Sequence, residues 1–322
     1  MATLSTATSN FSTLVQEVVA KAAEDELRTK LVHTIPGNYQ PARIIKGTNF
    51  FRFARYADIA AQTTALTEGT PPTAQALTIA SEGASATQVG GVFEITDLAT
   101  LDSPHDLIAI NAERAGRQAA ATIDILVREI LAAGASVQYV TATSRATLAS
   151  SNVVTGAQVK RMVALLGKVN VPRFGDGTYR AIIHSFPLYD LMTDTATGGW
   201  MDINKYVDNT PLLLGEIGKY AGVRFLETGG TGSGTNPGAK VFIDGGASSA
   251  DVFSTIFFGP GAYALIDNQP LQSYFVAPGG DHSDPIAQLA KIGWKTRFGC
   301  MLVDEAGPRY IRLESGASLG DV

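Results

Sequence analysis

Side chains that could do chemistry are few and scattered in this sequence. Its single cysteine, Cys300, excludes an intrachain disulfide and a thiolate metal cluster. In IGWKTRFGCMLVD (292–304), strand alternation places Cys300 on one face with Trp294, Phe298 and Leu302. No histidine lies near it, so it reads as a buried core thiol rather than a nucleophile. The glycine-rich run GGTGSGTNPGAK (229–240) invites a phosphate-binding reading. A P-loop, however, needs G-x-x-x-x-G-K-[ST] between a strand and a helix. Here the lysine is displaced, Pro237 interrupts and another strand follows, so the run reads as a connection between strands. Asp281-His282-Ser283-Asp284 gathers the groups of a triad or a metal site, yet Ser283 or Asp284 before Pro285 is also a helix-start signature. His33, His105 and His184 lack a metal-ligand spacing such as H-E-x-x-H. Glu94 and Asp97 in FEITD could pair as carboxylates, but nothing marks either for general acid–base work. The sequence predicts no catalytic residue, no metal and no cofactor.

Composition points away from catalysis as well. The 322 residues are 45% hydrophobic, enough for two domains or for one core with large excursions. Only 17% are charged, against about 25% in typical soluble proteins. A surface so poor in charge suits a chain that faces other protein subunits. The net charge of −5 excludes a nucleic-acid-coating protein, which would be basic. No apolar run is long enough to span a bilayer. The stretch MATLSTATSNFSTLVQEVV lacks the charged and apolar regions of a secretory signal.

What the chain does contain is a series of elements suited to holding surfaces in place. Residues Phe11–Val32 can form a helix with Leu14, Val18 and Leu27 among its apolar positions; two prolines and a glycine in IPGNYQPARIIK (35–46) then break it. This is the pattern of an arm on an extended strap. Phe50–Ile59 has strand composition, with Phe51 and Phe53 opposite Arg52. LTEGTPPTAQALTIASEGAS (66–85) has turn residues, small side chains and two charges, and cannot order itself. ATQVGGVFEITDLA (86–99) reads as a returning strand, which makes Gly47–Ile95 a long hairpin tipped by LTEGTPP. An isolated two-stranded hairpin is marginal in water, so neighbours must order it.

A long helix follows. Ser103 is its expected cap, Pro104 its first residue and Gly134 its end. At 1.5 Å per residue that is roughly 45 Å. Ile108, Ala112, Ala115, Ala119, Ile123, Leu126 and Ile130 share one stripe, while Glu113/Arg117 and Asp124/Arg128 pair on the opposite side. Beyond it, TGAQVKRMVALLGKV (155–169) is an amphipathic helix with Val159, Met162, Val163 and Leu166 inward, and FPLYDLMTD (186–194) begins another. YRAIIHS, GVRFLET, AKVFID, DVFSTIFFG, YALID, LQSYFVA, IGWKTRFGCMLVD and RYIRLES read as strands, with a turn at SDPIAQLAK (283–291).

Six segments in order resemble the major capsid proteins of tailed bacteriophages, especially the N-four-like podophage branch. They are LTEG (66–69), FEITD (93–97), AIIHSFPLYDLMTD (181–194) with WMDINKY after it, GEIGKYAGVRFLET (215–228), DPIAQLAKIGWKT (284–296) and RYIRLE (309–314). The resemblance covers most of the chain from about residue 45 onward. His184 lies within one of these segments, which favours a structural role for it.

The resemblance implies an α+β chain with the Hong Kong-type tailed-phage capsid fold. Residues 1–46 would be the N-terminal arm and 47–93 the extended β-hairpin loop. Residues 94–150 and 268–303 would form a peripheral domain on the spine helix, and 151–267 and 304–322 an axial domain of mixed sheet and helices. In this fold the extended loop lies across a neighbouring subunit, which implies intersubunit contacts from Leu66, Glu68, Pro71, Pro72, Leu77 and Ile79. Glu216 and Lys219 are the implied axial contacts. The implied function is self-assembly as pentamers and hexamers into the icosahedral shell around a double-stranded DNA genome, without sequence-specific DNA binding, enzymatic activity or a membrane. Implied partners besides the chain itself are a separate scaffolding protein, a portal and, optionally, a decoration protein. The expected location is the virion capsid, after assembly in the host bacterial cytoplasm. Some family members crosslink through an extended-loop lysine, but residues 47–103 contain none, which implies non-covalent locking. An encapsulin-type compartment and a mixed α/β hydrolase or adhesin remain the alternatives.

Overall fold

Two sheets and one helix that bridges them organise the chain. The computed structural model describes residues 15, 17–19, 21, 32–35, 39–42, 49–56, 59, 61–194, 200, 216–228, 240–242, 251–280, 284, 286–303 and 309–319. The expectations for the glycine-rich run before Lys240, for 281–283 and for WMDINKY beyond Trp200 lie outside these residues.

The smaller sheet has four strands. β1 (Gln40–Ala42) runs parallel to β11 (Tyr263–Val276), which is antiparallel to β12 (Leu289–Leu302), itself antiparallel to β4 (Thr87–Thr96). YALID and LQSYFVA thus form one strand rather than two, with register shifts on either side of Gln269 where Pro270 interrupts the ladder. Along β4, Val89, Gly91, Phe93 and Ile95 turn inward while Gln88, Gly90, Val92 and Glu94 turn outward. That inward stripe explains a correction. The hairpin closes between β2 (Phe50–Tyr56) and β3 (Ile79–Ser85), not between β2 and ATQVGGVFEITDLA. Val89, Phe93 and Ile95 find burial only in the four-stranded sheet, so small-residue IASEGAS returns the hairpin instead.

The inward face of this sheet is covered by the spine. A short helix α1 (Asp97–Asp102) precedes it, and α2 (Leu107–Ala133) is the spine itself. The spine starts three residues later than expected. Ser103 closes α1, with its N–H donating to the Ala99 carbonyl, and the Asp106 carboxylate caps α2 by accepting from Ile108 N and Ala109 N. Ala112, Ala115 and Ala119 are fully buried against Ile95, Phe275, Ile292 and Trp294. Side chains this small bring helix and sheet so close that Gln118 accepts a 3.0 Å hydrogen bond from the Trp294 indole. Gly134 does end the spine, but with φ −60 rather than a left-handed turn. A Cβ there would lie 1.4 Å from the Tyr310 hydroxyl oxygen, so close packing is what requires glycine.

Asp124 and Arg128 are also corrected. Glu113–Arg117 is an exposed pair at 2.5 Å, as the spacing predicts, whereas Asp124 and Arg128 are buried. Asp124 accepts from the His33 backbone N–H (3.1 Å) and lies 2.9 Å from its Nδ1, while the His33 carbonyl accepts from the Tyr263 hydroxyl. Residues 32–35 are thereby pinned to the spine from 91 positions away. Burial lowers the Arg128 pKa against the raising effect of Glu129 and Asp124. Near the start of the chain, Val15 and Val19 are buried in the spine cluster and Val18 is 43% exposed, so Val18 is not on the inward face; Leu14 and Leu27 lie outside the described residues.

The larger sheet has seven strands in the order β5-β13-β10-β6-β8-β7, with β9 on β10. These are β5 (Val137–Tyr139), β6 (Tyr179–His184), β7 (Glu216–Tyr220), β8 (Val223–Thr228), β9 (Lys240–Phe242), β10 (Val252–Phe258) and β13 (Tyr310–Ser315). β10 and β13 are buried along their whole length; VFSTIFF in β10 is largely apolar, as burial on both faces favours, whereas β13 carries Arg312 and Glu314 into the interior, 3.2 Å apart. One face packs on α3 (Gly156–Lys168) and α4 (Ser185–Thr193) through Val159, Met162, Leu166, Leu188 and Leu191. The other meets the C-terminal half of the spine at Val127 and Leu131, in a cluster that also holds Phe298 and Cys300 from the smaller sheet.

Candidate functional site: an assembly surface

The residues that could do chemistry are occupied by structural tasks. Cys300 is buried, and desolvation pushes its thiol pKa up to about 12. His184 caps α4, its Nδ1 accepting from Phe186 N, with its ring 4.8 Å from that of Phe253. Asp284 accepts from Leu289 N at 2.7 Å and sets the turn into β12. Glu94 lies 3.4 Å from Lys291, and Asp97 opens α1. Among the described residues, no group of three His, Cys, Asp or Glu side chains could hold a metal. No described helix is long and apolar enough to cross a membrane.

The surface tells a different story. Between β2 and β3 the chain makes an excursion in which residues 61–79 are all exposed. Leu66 is 73% exposed, Ile79 60% and Leu77 52%; Glu68, Pro71 and Pro72 are exposed too. The tip is a turn, with Thr70 N donating to the Thr67 carbonyl and Gly69 at φ +78, a conformation glycine adopts without strain. A Gln75–Gln62 hydrogen bond ties the limbs together. Apolar side chains held out on a two-stranded ribbon have nothing of their own to bury against. At the ribbon's root lies a groove of about 420 Å³ lined by Gly83, Ala84, Ile130, Ala133, Gly134, Cys300, Met301 and Leu302.

Lys219 and Glu216, both on edge strand β7, differ in placement. Lys219 is exposed, whereas the Glu216 side chain is 2% exposed and accepts from Arg224 at 2.5 Å. Arg224 also donates to Asp176 at 2.5 Å. Burial alone lowers the Arg224 pKa, but its hydrogen bonds to Glu216 and Asp176 outweigh that and raise it. Glu216 therefore braces the edge strand from within. Sequence reading passed over a further set of exposed apolar residues: Val92, Leu98, Leu101, Tyr274 and Ile286. The period of FEIT and of IGWKTR carries the signal for Val92 and for the lysines beside it, since both lie opposite the buried face.

No protein-family model and no curated protein matches the sequence. Solved structures do. The capsid of Ralstonia phage GP4 matches with a TM-score of 0.68 at 15% identity, over 90% of this chain and 92% of that one. The capsid of cyanophage Pam1 matches with a TM-score of 0.67 at 14% identity, over 90% and 93%. Cyanophage P-SCSP1u capsid follows with 0.61 at 14% identity, over 90% of each. This chain has the tailed-phage capsid fold. In the capsid fold seen here, the spine and its four-stranded sheet, the seven-stranded sheet and the exposed hairpin are one continuous design. It is the α+β architecture that the six sequence segments imply.

Proposed function

We propose that this chain is the major capsid protein of a tailed bacteriophage, assembling as pentamers and hexamers into the icosahedral shell around a double-stranded DNA genome. The observation that carries this reading is a capsid fold matched along 90% of the chain and 92% of its counterpart. The unsupported hairpin and the charge-poor composition favour it independently, because both call for neighbours. In this reading the arm is 1–46, and the sheets move the other bounds implied by the resemblance: the extended loop is 47–86, the peripheral unit 87–134 with 263–303, and the axial unit 135–262 with 304–322. Leu66, Glu68, Pro71, Pro72, Leu77 and Ile79 meet a neighbouring copy, and Lys219 meets a symmetry mate on an edge strand that Glu216 stiffens. The role is structural rather than enzymatic. A separate scaffolding protein and a portal direct assembly in the host cytoplasm, and the finished chain resides in the virion capsid.

Electron microscopy of the purified protein is the test. Closed icosahedral shells are expected; discrete small oligomers at every concentration overturn the reading, and small cages filled with an enzyme cargo move it to the compartment class. Deleting Thr67–Thr73 should leave a folded subunit by circular dichroism that no longer makes heat-stable shells.

A further inference from the structure

The larger sheet buries a positive charge that the side chains around it do not balance. Glu314 on β13 is fully buried. It accepts hydrogen bonds from Arg145 Nε at 2.7 Å and from Arg145 Nη2, and Arg312 Nη2 lies 3.2 Å from its Oε1. Arg145 reaches in from a short helical turn (Arg145–Thr147) with 28% of its side chain exposed, whereas Arg312 is 4% exposed. Two guanidiniums thus share the Glu314 carboxylate, and Arg312 has no second carboxylate among the described residues. Tyr139 and Tyr310, the other titratable groups that act on Arg312, are phenols rather than acids of its opposite charge.

The polar atoms beside this cluster point the same way. Arg312 Nε and Nη1 are buried without a hydrogen-bond partner among the described residues, and so is the Ser254 Oγ. Ser254 is 1% exposed. Strand register brings these groups together: Ser254 lies opposite Glu314 and Ile256 opposite Arg312, so all four share one face of the β10–β13 pair. Ile256 belongs to the cluster that meets the spine, so this is a covered face. Burial lowers the Arg312 pKa; Glu314 opposes this and Arg145 adds to it. A guanidinium nevertheless keeps its proton. Burying it without a full counter-charge is strongly unfavourable, as is leaving its donors without acceptors.

We infer that a monovalent, halide-sized anion such as chloride binds here, accepting hydrogen bonds from the Arg312 guanidinium and the Ser254 hydroxyl. One negative charge matches the one guanidinium that Glu314 leaves unbalanced; a dianion would overshoot it and repel the carboxylate beside it. Burial sets the size, since every side chain of the cluster except Arg145 is at most 4% exposed. So held, the ion ties β13 to β10 across Arg312 and Ser254, and through Glu314 to the turn that carries Arg145. The site belongs to the single subunit. It stands or falls independently of the assembly proposed above.

Anion exchange on the purified full chain tests this. At constant ionic strength, replacing gluconate by chloride should raise the melting temperature by roughly 2–5 °C, and the rise should saturate. Arg312→Met leaves Arg145 and Glu314 as a neutral pair, so this variant should fold and should show no saturable rise. Ser254→Ala should move the midpoint of the chloride titration up by about threefold or more. In crystals soaked in bromide, an anomalous peak should lie within hydrogen-bonding reach of Arg312 and should vanish in Arg312→Met. Equal chloride responses from the parent and Arg312→Met overturn the inference, as does water alone at the position. A peak that persists in Arg312→Met is an adventitious ion only and overturns it too. Should Arg312→Met fail to fold, the bromide peak in the parent decides.

Discussion

Single groups in the core carry consequences that chemistry makes visible. Asp124 holds both the backbone and the ring of His33, so Asp124→Ala leaves two buried donors without an acceptor. A loss of about 1–3 kcal/mol is expected, read as a lowered urea midpoint, with faster amide exchange at residues 32–35. Cys300 gives a second expectation. Its folded pKa, about 12, lies above the ordinary value of 9.0, so the folded state holds the proton more tightly. The associated stability is intact below pH 9 and is lost as pH rises toward 12. Burial shifts the Tyr263 phenol upward as well, with the same sign. Melting temperature should therefore fall on the alkaline side, and Cys300→Ala should remove one share of that slope while Tyr263 retains the other.

At the scale of elements, the alanine stripe decides how the spine meets its sheet. Ala115→Leu or Ala119→Leu must push the helix off Trp294 and Ile292, at a cost of roughly 1–3 kcal/mol. Thermal melts and shell yield should both register it; yields equal to the parent's would show that the stripe tolerates bulk. How far such elements are legible in a sequence depends on whether their determinants are local. The spine, α3 and the buried Cys300 strand follow from periodicity, because burial on one face imprints 3.6- or 2-residue repeats. The spine's start did not follow, because Ser103 and Asp106 are both good caps and the short α1 helix settles the choice. Asp124 and Arg128 obey the spacing of an exposed pair, yet Asp124 is claimed by His33, a contact that no local pattern contains. The hairpin's return strand was missed for a related reason. Ile79–Ser85 carries small side chains with no strong period, and only β12's demand for β4 reveals that it must pair with β2. The uncovered sheet face was legible in part, since IGWKTR alternates, but its meaning depends on which side the spine occupies.

For the molecule as a whole, the expectation is a shell locked by many weak contacts. The loop tip offers no amine, and residues 47–103 contain no lysine. In such a shell, burying the exposed Leu66, Leu77 and Ile79 against a neighbour would contribute about 25 cal/mol per Å² of apolar surface, multiplied over every copy. Mature particles boiled in detergent should give one band near 33.8 kDa. A ladder that survives denaturation and reduction would refute non-covalent locking.

The placement of β13 has a consequence for synthesis. Tyr310–Ser315 is not an edge strand; it lies between β5 and β10, buried along its length, parallel to one and antiparallel to the other. A nascent chain on the ribosome can fold its hairpin, its spine and much of the smaller sheet, but β5 has no partner and one side of β10 stays open until residue 315 has emerged. At about 5–20 residues per second that wait is roughly 10–35 seconds for β5 and roughly 3–11 seconds for β10, and a polysome holds many such chains side by side. The order of translation itself thus delays completion of the larger sheet. In the assembly proposed above, a subunit would become competent to join its neighbours only once β13 has been made and docked between β5 and β10.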